Sequence, residues 1–153
     1  VVSTQSTGKP QMLELANKVL IRIKSSKTKK YLRLNKQGGV DATAGKSPDA
    51  VFMVHRIDAN NIKLQSAENP EKWLQCTQDG QINENGKGGQ SCVFLLKHHE
   101  RDVIALSPKL NIDWHIGVDQ SGKILNASTV QHNMENLFEI ELVSSQILMP
   151  GRV

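Results

Sequence analysis

The sequence predicts an all-β chain of twelve short strands in three units of four, and three observations carry that expectation. Gly38, Gly80 and Gly122 follow one another at steps of 42 residues, each inside a polar turn. Val40, Ile82 and Ile124 stand two residues beyond those glycines and keep the same step. An aromatic residue precedes each turn (Tyr31, Trp73, Trp114) and a phenylalanine closes each unit (Phe52, Phe94, Phe138), at steps of 41 to 44 residues. Self-similarity at a fixed period of this size marks a repeat architecture.

Each copy reads as a hairpin. The run Lys30-Tyr31-Leu32-Arg33-Leu34-Asn35-Lys36-Gln37-Gly38-Gly39-Val40 places a polar turn between two strand-forming segments. Residues 72–82 and 113–124 repeat it. Glycine supplies the positive φ that a tight hairpin turn requires. Four-stranded repeats also describe propeller blades, but propellers need about four or more of them. Three units can instead close head to tail into a barrel whose edges pair with each other. That arrangement is a β-trefoil, with the leucines, aromatics and phenylalanines expected to fill its interior.

Along the chain, residues 1–17 read as a polar N-terminal arm. Residues 18–24 alternate, with Val19, Ile21 and Ile23 on one face, as a half-buried strand does. Further strands are expected at 31–34, 40–43 and 50–57, the last with Phe52 and Val54 alternating. The second unit places strands at 62–66, 73–77, 81–83 and 92–97. The third places them at 103–106, 114–118, 124–126 and 137–143. The longer loops 44–49, 85–90 and 129–136 precede the closing strands, and residues 144–153 form a C-terminal tail. The trefoil domain is thus expected over 18–143.

With 153 residues, 38% of them hydrophobic and 22% charged, the chain can bury a core without staples. The formal net charge of +4 permits contact with a polyanion such as heparan sulfate without implying nucleic acid. No run of 18 apolar residues is present, so no membrane insertion is expected. No signal-peptide pattern precedes the first strand. A chain that begins with Val1 and not methionine is expected to be a trimmed or processed form. Cys76 and Cys92 show no metal-ligand spacing and are expected as buried thiols, with a Cys76–Cys92 disulfide as the alternative.

No catalytic constellation emerges. The histidines are scattered, and His98 and His99 would point to opposite faces of a strand. Zinc-binding and nucleophile-elbow motifs are absent. Gly86-Lys87-Gly88-Gly89 lacks the phosphate-loop pattern. The chain is therefore expected not to be an enzyme, and to need no cofactor and no metal. The densest charge lies at Lys24, Lys27, Lys29 and Lys30, with Lys123 in the third unit. These five are the candidate polyanion or receptor contacts; a lysine-rich, solubilising turn is the alternative. Asn126-Ala127-Ser128 is a glycosylation sequon, which makes Asn126 a candidate modification site. Trp73 and Trp114 could stack a sugar, but their repeat positions match Tyr31 and favour packing.

These residues resemble fibroblast growth factors. Tyr31-Leu32-Arg33-Leu34 and Val40-Asp41-Ala42-Thr43 are similar to that family's aromatic-Leu-Arg-Ile and Val-Asp-Gly-Thr. Asp79-Gly80, Cys92-Val93-Phe94-Leu95 and Asp113-Trp114-His115-Ile116-Gly117 continue the likeness over residues 18–143. There are departures. Ser91 replaces an acidic or amide residue, Leu96 a glutamate and Val103 a tyrosine. Lys24 falls where that family uses a tyrosine for its receptor. Of Asp119, Gln120, Lys123, Thr129 and His132, which occupy the family's heparin stretch, only Lys123 keeps the charge. Residues 65–77, His115–Asp119 and Leu137–Leu142 also resemble interleukin-1-type cytokines. The repeated Lys-(Tyr/Trp)-Leu…Gly-x-(Val/Ile) is similar to fascin units.

The resemblance implies a growth-factor or cytokine-type ligand that binds a cell-surface receptor with immunoglobulin-like domains, in contact with heparan sulfate. It implies a released or secreted, extracellular monomer. The alternative from another class is a cytoplasmic, fascin-like actin-binding module or a lectin. The turn triplets of the three units do not repeat a common sugar-contacting set, which argues against the lectin.

Overall fold

Strands form where β-branched and leucine residues alternate with polar ones, and the first pair of units does this almost identically. The computed structural model describes residues 17–35, 37 and 39–143. Its strands are β1 (Leu20–Ser25), β2 (Tyr31–Leu34), β3 (Val40–Ala44), β4 (Phe52–Arg56), β5 (Asn61–Ser66), β6 (Trp73–Cys76), β7 (Ile82–Gly86), β8 (Phe94–Glu100), β9 (Val103–Pro108) and β10 (Phe138–Leu142). No α-helix occurs among the described residues. The arm expected over 1–17, apart from Asn17, and the tail expected over 144–153 lie outside the described residues.

Six strands close on themselves. β1 pairs with β10, β10 with β9, β9 with β8, β8 with β5, β5 with β4, and β4 returns to β1, all antiparallel. Closure leaves no exposed edge in this ring. Each unit contributes two of the six strands, and the register repeats with the units. Ile21 faces Phe52, Ile62 faces Phe94 and Ile104 faces Phe138. The hairpins β2–β3 and β6–β7 extend from the ring, and both carry a bulge at the same place, between Tyr31 and Arg33 and between Trp73 and Gln75. This is the β-trefoil.

The core is built in layers of three. Phe52, Phe94 and Phe138 form one layer, Ile23, Leu64 and Leu106 another, and Leu32, Leu74 and Ile116 a third, all essentially inaccessible to solvent. Burying side chains of this size contributes about 1.5–3 kcal/mol each. The aromatic residues before the turns are placed differently from the expectation. Tyr31 packs with Ala44 and Ala50 in a separate small cluster. Trp73 and Trp114 are only half-buried, with Trp114 against the edge of the core. Leu32 and Leu74 directly follow Tyr31 and Trp73 in their strands, so with the leucines pointing into the core the rings point to the opposite face.

The third hairpin departs from the expected twelve strands. Residues 114–118 and 124–126 pair through an isolated bridge, Val118 with Ile124, and not through a regular ladder. Hydrogen bonds from Leu125 N to Gly117 O and from His115 N to Ala127 O hold the two arms. Gly117 stands where the other units have Arg33 and Gln75. A Cβ there would come within 2.7 Å of Val130, so the longer loop packs directly on the backbone. The closing strands also start later than expected. Ala50 and Cys92 belong to 3₁₀ turns, Pro48–Ala50 and Gln90–Cys92, which deliver the chain to Phe52 and Phe94.

A candidate ligand-binding surface

The lysine-rich turn owes its shape to Ser25. This buried serine accepts hydrogen bonds from Lys27 N and Thr28 N, a local side-chain turn that orders the loop. Ser66 does the same for the second unit through Asn69 N. Lys29 closes the turn with φ +62°, an uncommon setting for a residue with a Cβ. Lys29 and Lys30 are exposed.

The turn is fastened to the third unit by the Ser26 N to Leu137 O hydrogen bond and, through β3, by Ala42. Thr28 Oγ1 donates to Ala42 O at 2.9 Å, and Ala42 N donates to Gly122 O at 2.8 Å. The backbones of Asp41 and Lys123 pair in an isolated antiparallel β-bridge. The Lys27–Lys30 turn and the Gly122–Lys123 turn therefore both meet β3 at Ala42, on the same edge of the strand. Lys24 sits apart on the barrel wall, opposite Glu139 of β10. The Lys27 ammonium is 3.5 Å from Glu135 and its side chain is only 17% exposed, so one of the four charges is partly answered within the chain.

The carboxylates beside these cations are fixed. Burial would raise the pKa of Asp41, but hydrogen bonds from Asn35, Thr43 and Arg33 outweigh it and hold the group below the usual carboxylate range. Asp119 is held low by Ser121 and by the Lys123 backbone, which it caps at 3.0 Å. Tyr31 points its hydroxyl at Glu141, 2.7 Å away, and burial followed by that hydrogen bond pushes its pKa up to about 12.

Asn126 has a structural task. Its Nδ2 donates to Asp79 O at 2.9 Å, and its Oδ1 accepts from the Ser128 N and Oγ. Ala127 N donates to Gly80 O, which ties the third unit to the second much as Ala42 ties the first to the third. The two turn glycines involved, Gly80 and Gly122, have φ of +91° and +90°.

Among the described residues no group of three or more His, Cys, Asp or Glu could hold a metal ion. Cys76 and Cys92 are free and buried, and burial pushes the Cys76 thiol up to about 11, which keeps it unreactive. His115 is buried beneath Lys97, whose ammonium donates to its Nε2 at 3.1 Å, with the His132 ring 4.9 Å away. No helix among the described residues is long and apolar enough to cross a membrane.

Sequence reasoning missed Thr28, Ala42 and Glu135, because their roles depend on the approach of units far apart in the chain. It also missed buried Glu84. Its signal was present: Ile82, Glu84 and Gly86 alternate inward along β7.

The comparisons with known proteins fit this geometry. The family profile described as fibroblast growth factor matches residues 19–138, from just before β1 to the first residue of β10. Fibroblast growth factor 1 of Notophthalmus viridescens is 25% identical over 96 residues, which cover 61% of this chain and 72% of that protein. The match favours the growth-factor branch of the alternatives set out from the sequence, a family of signalling ligands that act by binding and not by catalysis. With its barrel spanned by the family profile and its strands closed as a β-trefoil, the chain belongs to the fibroblast growth factor family.

Proposed function

We propose that this chain is an extracellular signalling ligand that engages a cell-surface receptor with immunoglobulin-like domains, assisted by heparan sulfate. The profile match over residues 19–138 carries the ligand reading. The heparan sulfate contact rests on Lys27, Lys29, Lys30 and Lys123, whose turns from two units both meet β3. Clustered cations of this kind create a local potential that sulfate groups feel, and the +4 net charge agrees in sign. Glu135 beside Lys27 and the neutral Thr129 and Gln120 moderate that potential, so the contact is weak and strongly salt-dependent. Lys24, on the barrel wall, is assigned to the receptor face and not to the sulfate site. Asn126 remains a glycan acceptor only where the third-unit loop releases its amide from Asp79.

The test is surface plasmon resonance on an immobilised fibroblast growth factor receptor ectodomain, with and without a heparan sulfate fragment. Saturable binding that rises with the fragment, and loses that rise in a Lys27/Lys29/Lys30/Lys123→Ala variant, is expected. Absence of binding in both conditions would sink the ligand reading. Binding indifferent to the fragment would remove the polysaccharide from it.

A further inference from the structure

The trefoil repeat sets the first turn of one unit against the hairpin turn of its neighbour, and in the second and third units that junction forms a cleft. In the third unit it is more apolar, with Leu110 and Lys109 against Cys76, Thr77 and Gln78. In the second unit it is a cavity of about 410 Å³, between the Ser66–Lys72 turn and residues Asn35 and Gln37 of the first hairpin. That volume lies in the range of small-ligand pockets.

The chemistry of the second-unit cleft is set by Glu84, at the repeat position of Ala42. Its side chain is 4% exposed. Oε2 accepts from the Lys72 ammonium at 2.8 Å, while Oε1 is buried with no hydrogen-bond partner. A carboxylate oxygen only accepts, and leaving it unpaired in a low dielectric is costly. The exposed Glu68 carboxylate stands at the rim, and the amides of Asn69 and Gln37 complete the wall. An adjoining cavity shares Gln37 and Glu68 and adds Asp49, which is paired with Arg33 at 3.6 Å.

We propose that this second-unit cleft binds an arginine or lysine side chain presented by a partner protein, with Glu84 and Glu68 as its acceptors. Several observations select that chemistry. The unanswered groups are acceptors, which call for a donor. Among the described lining residues two carboxylates stand against one lysine, a balance that favours a cation over an anion. No aromatic face lines it, so a sugar ring has nothing to stack on. No third metal-type ligand joins the two carboxylates among the described residues. A guanidinium or ammonium supplies several donors from one planar or compact head. The proposal does not depend on the receptor reading, since it concerns a different face of the barrel from the basic turn.

The test is a titration of ¹⁵N-labelled protein with the blocked peptide acetyl-Gly-Arg-Gly-amide, followed by NMR. Its isosteric neutral partner, with citrulline in place of arginine, is run in parallel. Saturable shifts at the Asn69 side-chain amide and at the Lys72 and Glu84 backbone amides are expected. They should weaken by about tenfold or more with citrulline, since charge assistance roughly doubles such bonds. They should also weaken in Glu68→Gln, a substitution at an exposed position that leaves the fold intact, and vanish in Glu84→Gln. Absence of saturable shifts, equal affinity for the citrulline peptide, or shifts that persist in both variants would overturn the proposal. Tighter binding of spermidine than of the peptide would overturn the protein-borne assignment.

Discussion

Replacing Gly122 by alanine should loosen the junction between the third unit and the first. Gly122 has φ +90°, where an L side chain costs about 1–2 kcal/mol. The new Cβ would also stand 2.5 Å from Thr43 Cγ2 and 3.0 Å from the Ala42 carbonyl oxygen. The threonine methyl can turn aside, but the carbonyl belongs to β3 and accepts from Thr28, so the backbone must shift. Overpacking of that kind costs about 1–3 kcal/mol. The two contributions together give about 2–5 kcal/mol, a large share of the stability of an ordinary domain. Urea denaturation followed by the fluorescence of Trp73 and Trp114 reads the change as a lower midpoint at unchanged slope. Gly89→Ala is the control, because nothing lies within 4 Å of its Cβ position, and it should stay within about 0.5 kcal/mol. If Gly122→Ala and Gly89→Ala denature together, the junction does not carry the tie assigned to it.

Other outcomes follow from the same geometry. His115 is held below its ordinary value of 6.5 by burial, then by Lys97 and His132, with only Asp113 opposing among the charged neighbours. The unfolded chain therefore takes up the proton first, so stability is full above about pH 6.5 and is lost as pH falls below it. Thermal melts should show a drop between pH 7.5 and 5.5 that His115→Phe reduces, with His98, also held low by burial, supplying the rest; an equal drop in the variant would place the acid sensitivity elsewhere. Phe94→Ala and Phe138→Ala, at equivalent positions of one layer, should each cost about 3–5 kcal/mol in calorimetry, and widely unequal costs would count against the threefold core. Iodoacetamide should leave Cys76 and Cys92 unmodified in the native protein and label both in urea, as mass spectrometry would detect.

The repeat is what made the fold legible. Gly80 and Gly122 do carry the positive φ inferred from their turns, and Phe52, Phe94 and Phe138 do form one buried layer. Those features are local or periodic, so a single strand of text preserves them. The third hairpin was not legible, because its irregularity comes from Val130 packing on Gly117 across a longer loop. Trp114 packs against the core as expected, but only half-buried, and Trp73 is half-buried as well, because periodicity reports which residues are equivalent and not which face of the strand turns inward. The lysine cluster could be read as a charge run, yet its junction with Lys123 through Thr28 and Ala42 links residues 14 and about 80 positions apart. Glu84 shows the opposite case. A charged residue in an inward-alternating position is a visible anomaly, and its partner Lys72 lies within the same unit.

The central claim is that this barrel signals by engaging a receptor, and receptor phosphorylation measures that most directly. The purified chain would be added to cells that express a fibroblast growth factor receptor and to matched cells that lack it, each with and without surface heparan sulfate. The account predicts tyrosine phosphorylation of the receptor in the first cells only, stronger where heparan sulfate is present. A folded chain that leaves the receptor unphosphorylated on both backgrounds would contradict it.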